Sequence, residues 1–423
     1  MLQSSSLSLP CPQRKSRWLF ASGLLVLTGL LFWAMAIWGE ARTWDFLSVP
    51  HMKPDFADSY GIIAGSKSAA RGFDPLIENP ADPYGRRMDY PRIWHLLFHL
   101  GLKQGDTALL AGIFIGFFLL GLMLVMRDAS GLAILIQLVC LASPAVCFCI
   151  ERGNNDLFVF FVVALAIWAL EQRPWLSAVL VGFGFLLKLF PLVTLAIFCG
   201  PERKGRWLIV SAVGFGAAAY LLVQHKEIHR ILTQNESVSG AWSFDSTKIL
   251  VRYIARVNMN LPSFVELAAA IAVSALVGIA AWAAWKWPSA ASRRTMQLAA
   301  FRAGTAIYMI TFCGHASYSY RLIFLLFVIP QLVEWAQGPE HSKSCIAGIT
   351  LLAALISLWD MGLQSVWILL PGEMRYGWLF VQCGYWILLA GLVYLGLNTA
   401  LQPRPASNLK SSDKTNLGQR VAS

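Results

Sequence analysis

The sequence predicts an all-α, multi-pass membrane protein, on three observations. Of its 423 residues 57% are hydrophobic and only 13% charged, and the mean hydropathy is +0.57, too apolar for a soluble chain of this length. Apolar runs recur from residue 18 to residue 397 with short polar joints between them, each near the roughly 20 residues that a bilayer core requires. Period-two alternation is missing, and backbone groups in lipid must be satisfied within each segment, so the crossings are helices and not barrel strands.

The elements follow in order. Residues 1–17 are Ser-rich and end in Arg14-Lys15-Ser16-Arg17, a basic flank that belongs in the cytoplasm. The run 18–38 exits; Ala34-Met35-Ala36 resembles a signal-peptidase site, but the run is long for a signal peptide and many spans follow, so it reads as a retained anchor. Residues 39–105 form a first external loop, with turn pairs Asp74-Pro75 and Asp82-Pro83. Within it, 94–102 is too short to cross and reads as an interfacial helix, its Trp94, His95 and His99 suited to the headgroup layer. Residues 107–126 return to Arg127, and 131–150 go out again, which puts the polar turn 151–156 beside the first loop; 157–170 come back to Glu171-Gln172-Arg173-Pro174.

The next run, 175–198, decides the topology. The basic stretch Pro201-Glu202-Arg203-Lys204-Gly205-Arg206 after it should be cytoplasmic, which a single crossing forbids. Lys188-Leu189-Phe190-Pro191 interrupts the run: Pro breaks a helix, and a Lys at mid-membrane costs about 2.5–3.5 kcal/mol. We therefore read two short helices meeting near Lys188 at the outer face. Then 207–223 exits to a second external loop, 224–261; 262–285 returns; 298–311 exits to a turn carrying His315, Tyr320 and Arg321; 322–335 returns, 345–369 exits and 378–397 returns. The multi-pass domain thus covers 18–399, with about twelve crossings. Residues 400–423 are a polar tail expected to be disordered and cytoplasmic.

The net charge of +11 is the topological bias of cytoplasmic Lys and Arg meeting anionic lipid, not a nucleic-acid surface. The eight cysteines lie mostly in or beside apolar runs, where Cys is a small hydrophobe, and form neither a disulfide framework nor a metal site. No P-loop, dinucleotide fingerprint or zinc spacing occurs, and Gly182-Phe183-Gly184 reads as helix packing.

Four ionisable groups fall on the outer side: Asp55 with Asp58, the Glu151–Asp156 turn, Lys188, and the His315–Arg321 turn. A carboxylate in a wet pocket beside lipid can take a proton from a hydroxyl, and cations opposite it can neutralise a departing phosphate. That equipment suits sugar transfer from a polyprenyl-phosphate sugar. Asp74, Glu78, Asp82 and Asp89 read as turn formers and loop charges.

Asp55-Phe56 with Tyr60, then Gly72-Phe73-Asp74-Pro75, Tyr90-Pro91, Arg152-Gly153-Asn154-Asn155-Asp156-Leu157 and Lys188-Leu189-Phe190-Pro191 occur in an order and spacing that resembles a known family. It is that of the bacterial GT-C alpha-mannosyltransferases that use polyprenyl-phosphate mannose, phosphatidylinositol mannoside mannosyltransferase among them. The likeness runs over residues 18–335; where the family commonly has a Tyr pair and a Pro pair, this chain has Ser59-Tyr60 and Pro91-Arg92. The resemblance implies a GT-C-like bundle whose external first loop carries the active site, and an inverting reaction in the bacterial inner membrane with that site facing outward. Asp55 would be the base and Asp58 a helper or the alternative base. Arg152, Lys188 and Arg321 would meet the lipid phosphate, and Tyr60, Asn154, Asn155, Asp156, His315 and Tyr320 would contact substrate. The partners implied are a polyprenyl-phosphate sugar donor, a lipid or glycan acceptor and membrane lipid, without cofactor, metal or nucleic acid. A flippase or transporter of lipid-linked sugar would also use broken helices, and a non-catalytic scaffold of an envelope complex is the third reading.

Overall fold

The structure is a computed structural model that describes residues 12–199, 206–234, 247–248, 251, 262–287, 296–314, 317–368 and 374–401; among them the chain forms helices and turns and no strand. Most of the basic stretch 201–206, most of the second loop, His315 and the tail beyond residue 401 therefore lie outside the described residues.

The first apolar run is helix α1 (Pro12–Trp38), followed by α2 (Glu40–Phe46) and, within the first loop, α3 (Ala57–Ala69). A 3₁₀ helix (Arg92–Leu100) then leads to α4 (Thr107–Val125). Helices α5 (Gly131–Leu141) and α6 (Pro144–Glu151) are one apolar run bent by 56°, because Pro144 has no N–H to continue the ladder and starts a new helix instead. Next come α7 (Asp156–Ala169), α8 (Pro174–Leu187), a 3₁₀ helix (Phe190–Phe198), α9 (Trp207–Val223) and α10 (His225–Gln234). The remainder is α11 (Pro262–Lys286), α12 (Met296–Cys313), a 3₁₀ helix (Ser319–Phe327), α13 (Ile329–Ala336), α14 (His341–Leu358), α15 (Asp360–Ile368) and α16 (Met374–Leu401).

Among the described residues five helices are long and apolar enough to cross a bilayer, and up to eight segments are if each bent pair counts once, so the protein is a multi-pass membrane protein. The gap to the expected twelve has a physical source. At about 1.5 Å per residue, α7 and α8, each 14 residues long, fall short of a bilayer core of roughly 30 Å, and α12 carries Gln297 and Arg302 among its apolar residues.

The break at Lys188 is present. Its backbone is extended (φ −150°, ψ 145°), and the next helix begins with Pro191 in its first turn. Gly184 permits the return: a Cβ there would sit 3.2 Å from the Pro191 ring, so the small residue serves close packing. Trp94 departs from the expectation. It is 4% exposed, its ring meets Phe114 and Phe158 edge-on, and its Nε1–H donates to the Leu187 carbonyl at 2.9 Å. The last carbonyls of α8 lack helical partners, and Trp94 is spent on one of them instead of on the headgroup layer.

The core runs through the bundle as stacked aromatics, with Phe160 face to face with Phe327 (4.1 Å) and edge-on to Phe118 (4.9 Å). Arg302 joins two helix ends. Its guanidinium donates to the carbonyls of Cys199 and Thr399, both at 2.6 Å, where helix C-termini favour positive charge.

Candidate active site

The site begins with a helix ending. After α6 the chain closes in a Schellman motif, Gly153 N–H to Ile150 O (2.9 Å) and Asn154 N–H to Cys149 O (3.1 Å), which requires a left-handed residue at Gly153 (φ +54°). Any side chain there would also collide, since a Cβ would lie 2.8 Å from both Ala111 Cβ and Ser59 Oγ. The polar turn so exposed clamps the start of α3. Asp58 N–H donates to Arg152 O (3.0 Å), Ser59 Oγ to Gly153 O (2.6 Å) and Asn154 Nδ2 to Asp58 Oδ2 (2.6 Å). Upstream, Met52 N–H donates to Glu151 Oε1 at 3.0 Å.

The second half of the loop folds back on α3. Asp74 and Asp82 do form turns, accepting from the N–H groups of Leu76 (3.1 Å) and Tyr84 (2.9 Å). Asp82 does more than that: buried, it holds Arg86 at 3.0 Å, and Arg86 in turn reaches Asp58 Oδ1 at 3.2 Å and Ala57 O at 2.7 Å. Each oxygen of Asp58 thus accepts one fixed donor and keeps a further lone pair. Its side chain is 14% exposed, and it faces a cavity of about 940 Å³.

Opposite walls come from three other segments. Phe148 of α6 and Arg152 supply one, the arginine sitting over the Phe148 ring (4.9 Å) and paired with Glu151 (3.1 Å). Tyr318 and Tyr320, stacked at 5.4 Å, supply another, and Arg86, Arg87, Asp89 and Tyr90 close the rim. Burial pushes the hydroxyls of Tyr318 and Tyr90 above the usual tyrosine range, so both remain hydrogen-bond donors at neutral pH.

Behind the wall lies a buried ionic cluster. Asp156 pairs with Lys188 at 2.7 Å and stands 4.0 Å from Arg321, and Lys188 also lies over the Tyr90 ring (5.4 Å). Asp89, next to Tyr90 in the chain, lies within electrostatic reach of the same two cations. Burial raises its carboxyl above the ordinary carboxylate range although Lys188 and Arg321 oppose the shift. Lys188 reaches Asn154 Oδ1 at 3.5 Å, which ties the cluster to Asp58.

Of the residues expected from sequence, Asp58, Arg152 and Tyr320 line the cavity, and Asn154, Asp156, Lys188 and Arg321 form the layer connected to it. Asn155 is buried, and neither polar atom of its amide makes a hydrogen bond among the described residues. Asp55 and Tyr60 stand apart from the cavity lining. Asp55 ion-pairs with Lys53 and is 46% exposed; Tyr60 accepts from Gln104 Nε2 at 2.5 Å. His315 lies outside the described residues. Sequence reasoning read Asp82 and Asp89 only as turn formers and loop charges and did not single out Arg86 or Tyr318. The i, i+4 spacing of Asp82 and Arg86 was an available signal for that pair; Asp89 and Tyr318 reach the site only through tertiary folding.

A family model, glycosyltransferase family 87, matches residues 96–313, just over half of the chain. The match contains the 151–156 turn and Lys188; Asp58 precedes it and the Tyr318–Arg321 wall follows it. No curated protein and no solved structure matches the chain.

Proposed function

The chain belongs to glycosyltransferase family 87 and is a membrane glycosyltransferase, and on that premise we propose that the cavity beside Asp58 transfers a sugar from a polyprenyl-phosphate donor to a lipid or glycan hydroxyl. Asp58 takes the proton of the acceptor hydroxyl. The freed oxygen attacks the anomeric carbon from the face opposite the leaving group, and the bond from that carbon to the phosphate oxygen breaks, its electron pair departing with polyprenyl phosphate and the configuration inverting. The observation that carries this reading is the setting of Asp58, a nearly buried carboxylate on a large cavity, oriented by Arg86 and Asn154 with lone pairs to spare.

Arg152 and Arg87 on the wall, with Lys188 and Arg321 behind it, supply positive charge for the phosphate as it gains charge in the transition state. The stacked Tyr318 and Tyr320 offer aromatic faces and hydroxyls for a sugar ring. Mannose is the sugar the motif resemblance favours.

The same reading gives a GT-C-like bundle with α7, α8, the 190–198 helix and α12 completing about twelve passes, α8 and its partner forming a hairpin about Lys188. An outward-facing cavity is supported by charge, and a bacterial inner membrane by the motif resemblance. Arg17 and Arg127 sit together at the far ends of α1 and α4, away from the cavity, where the positive-inside rule puts the cytoplasm.

Purified protein given radiolabelled polyprenyl-phosphate mannose and membrane lipid extract is expected to label a lipid or glycan product, and to leave nucleotide-linked mannose untouched. Transfer from the nucleotide sugar alone would refute the donor assignment. Movement of the lipid-linked sugar across vesicle bilayers, with no product formed, would favour a transporter.

A further inference from the structure

The cavity wall beyond the family match is held from behind by a carboxylate that has no access to the cavity. Asp360, the first residue of α15, is 1% exposed. Its Oδ1 accepts from its neighbour Met361 N–H (2.6 Å), and its Oδ2 accepts from Tyr385 Oη of α16 (2.6 Å) and from Ser319 Oγ (2.7 Å). Tyr385 is itself located, its carbonyl accepting from Tyr308 Oη of α12 at 3.0 Å. Asp360 is therefore fixed by two helices before it touches the wall.

Ser319 stands between Tyr318 and Tyr320, which line the cavity with rings 5.4 Å apart and 14° from parallel. It opens the 3₁₀ helix that continues into Arg321, the cation 4.0 Å from Asp156. The hydroxyl of Ser319 is buried and donates to Asp360, while the rings of its two neighbours line the cavity. Where the backbone of Ser319 sits decides where both rings stand. A buried carboxylate is a costly way to hold a helix start unless the position so fixed is needed, because an apolar contact would pack the same space without desolvating a charge.

We propose that Asp360 is a positioning residue of the transferase. Through Ser319 it sets Tyr318 and Tyr320 in register with Asp58 and with the Lys188–Arg321 side of the cavity, where the lipid-linked sugar is bound. The proposal rests on the glycosyltransferase reading above and deepens it: α15 and α16, outside the matched region, build part of the donor site.

The test compares wild type with Asp360→Asn, Ser319→Ala and the double variant, each accepted only if monodisperse and cooperatively unfolding. Donor KM is expected to rise about tenfold in each single variant, with kcat changed by less than about threefold, and to rise no further in the double variant, since both substitutions cut one link. Unchanged donor KM in the folded variants, or losses that multiply in the double, overturns the proposal. A second readout is independent of turnover. With 3-fluorotyrosine placed at position 318 or 320, the fluorine resonance should shift and broaden in both single variants; resonances identical to wild type overturn the proposal even if no donor is turned over. Wild type that transfers no lipid-linked sugar while those resonances do shift locates the failure in the donor assignment, with the positioning of the wall by Asp360 upheld.

Discussion

Replacing Asp58 by Asn removes the basic oxygen from the cavity and little else. The Asn oxygen can still accept from Asn154 Nδ2, which now donates at 2.6 Å, and Arg86 keeps Asp82 at 3.0 Å and the Ala57 carbonyl at 2.7 Å. What is lost structurally is a partly exposed ion pair at 3.2 Å, about 1 kcal/mol. Loss of a general base costs about 10²–10⁴ in rate, or roughly 3–5 kcal/mol of barrier. The same change at Asp55 breaks an exposed pair whose Lys53 retains Glu40 at 3.0 Å, below about 1 kcal/mol, so that variant should keep at least about one fifth of the rate. Initial rates at saturating radiolabelled donor, normalised to the fraction folded by thermal melting, separate the two. A folded Asp58→Asn enzyme within tenfold of wild type, or an Asp55→Asn enzyme that falls a hundredfold while Asp58→Asn stays active, refutes the assignment.

Gly153→Ala should lose both fold and activity: a left-handed non-glycine residue costs about 1–3 kcal/mol, and its methyl would meet Ala111 and Ser59 at 2.8 Å, so the melting temperature falls and the Asp58 clamp loosens. Arg302→Leu should destabilise without touching the cavity, since the buried Thr399 carbonyl loses its donor at about 1–3 kcal/mol and the half-buried Cys199 carbonyl loses its own at less; donor KM of the folded fraction should equal that of wild type. Asp89→Asn tests a charge. The Asp89 carboxyl is raised in the folded protein, so its stabilising contribution is complete below the ordinary carboxylate range and lost as pH rises through the raised value. The variant should therefore gain melting temperature relative to wild type at pH 8 and not at pH 4.

Much of the fold was legible because lipid leaves few choices. Among the described residues the apolar runs became helical segments, though 131–150, 322–335 and 345–369 each divide in two, and the break at Lys188 followed from Pro191 and a charge that hydrocarbon does not tolerate. Crossing counts were less legible, since the runs read as crossings at 157–170 and before Lys188 form helices of only 14 residues. In the site, the 151–156 turn showed its polar residues directly, whereas the sequence took Asp55 as the base through the family resemblance, with Asp58 as its rival, and spacing could not tell which of them faces a cavity. The two are three residues apart, and only the seating of α3 on Gly153 turns one into the cavity and leaves the other on Lys53. Trp94 misled for the converse reason. Its amphipathic ring suits a headgroup layer, yet an orphaned carbonyl at Leu187 offered a buried partner.

The constellations that sequence kept separate are one path of ion pairs and hydrogen bonds. Asp156 holds Lys188, Lys188 reaches Asn154, Asn154 donates to Asp58, and Asp58 shares Arg86 with Asp82. Three stretches far apart in the chain meet here: the first loop, the α6–α7 turn and the α8 break. A substitution at Lys188 therefore acts in two ways at once, weakening the positive field toward a phosphate and freeing the amide that orients the base. The two effects separate in a cycle with Asp58→Asn. If Lys188 served only the phosphate, its loss would add in full to that of Asp58. The path requires that part of the Lys188 effect disappear once Asp58 is already gone, because a base that is absent cannot be misaligned.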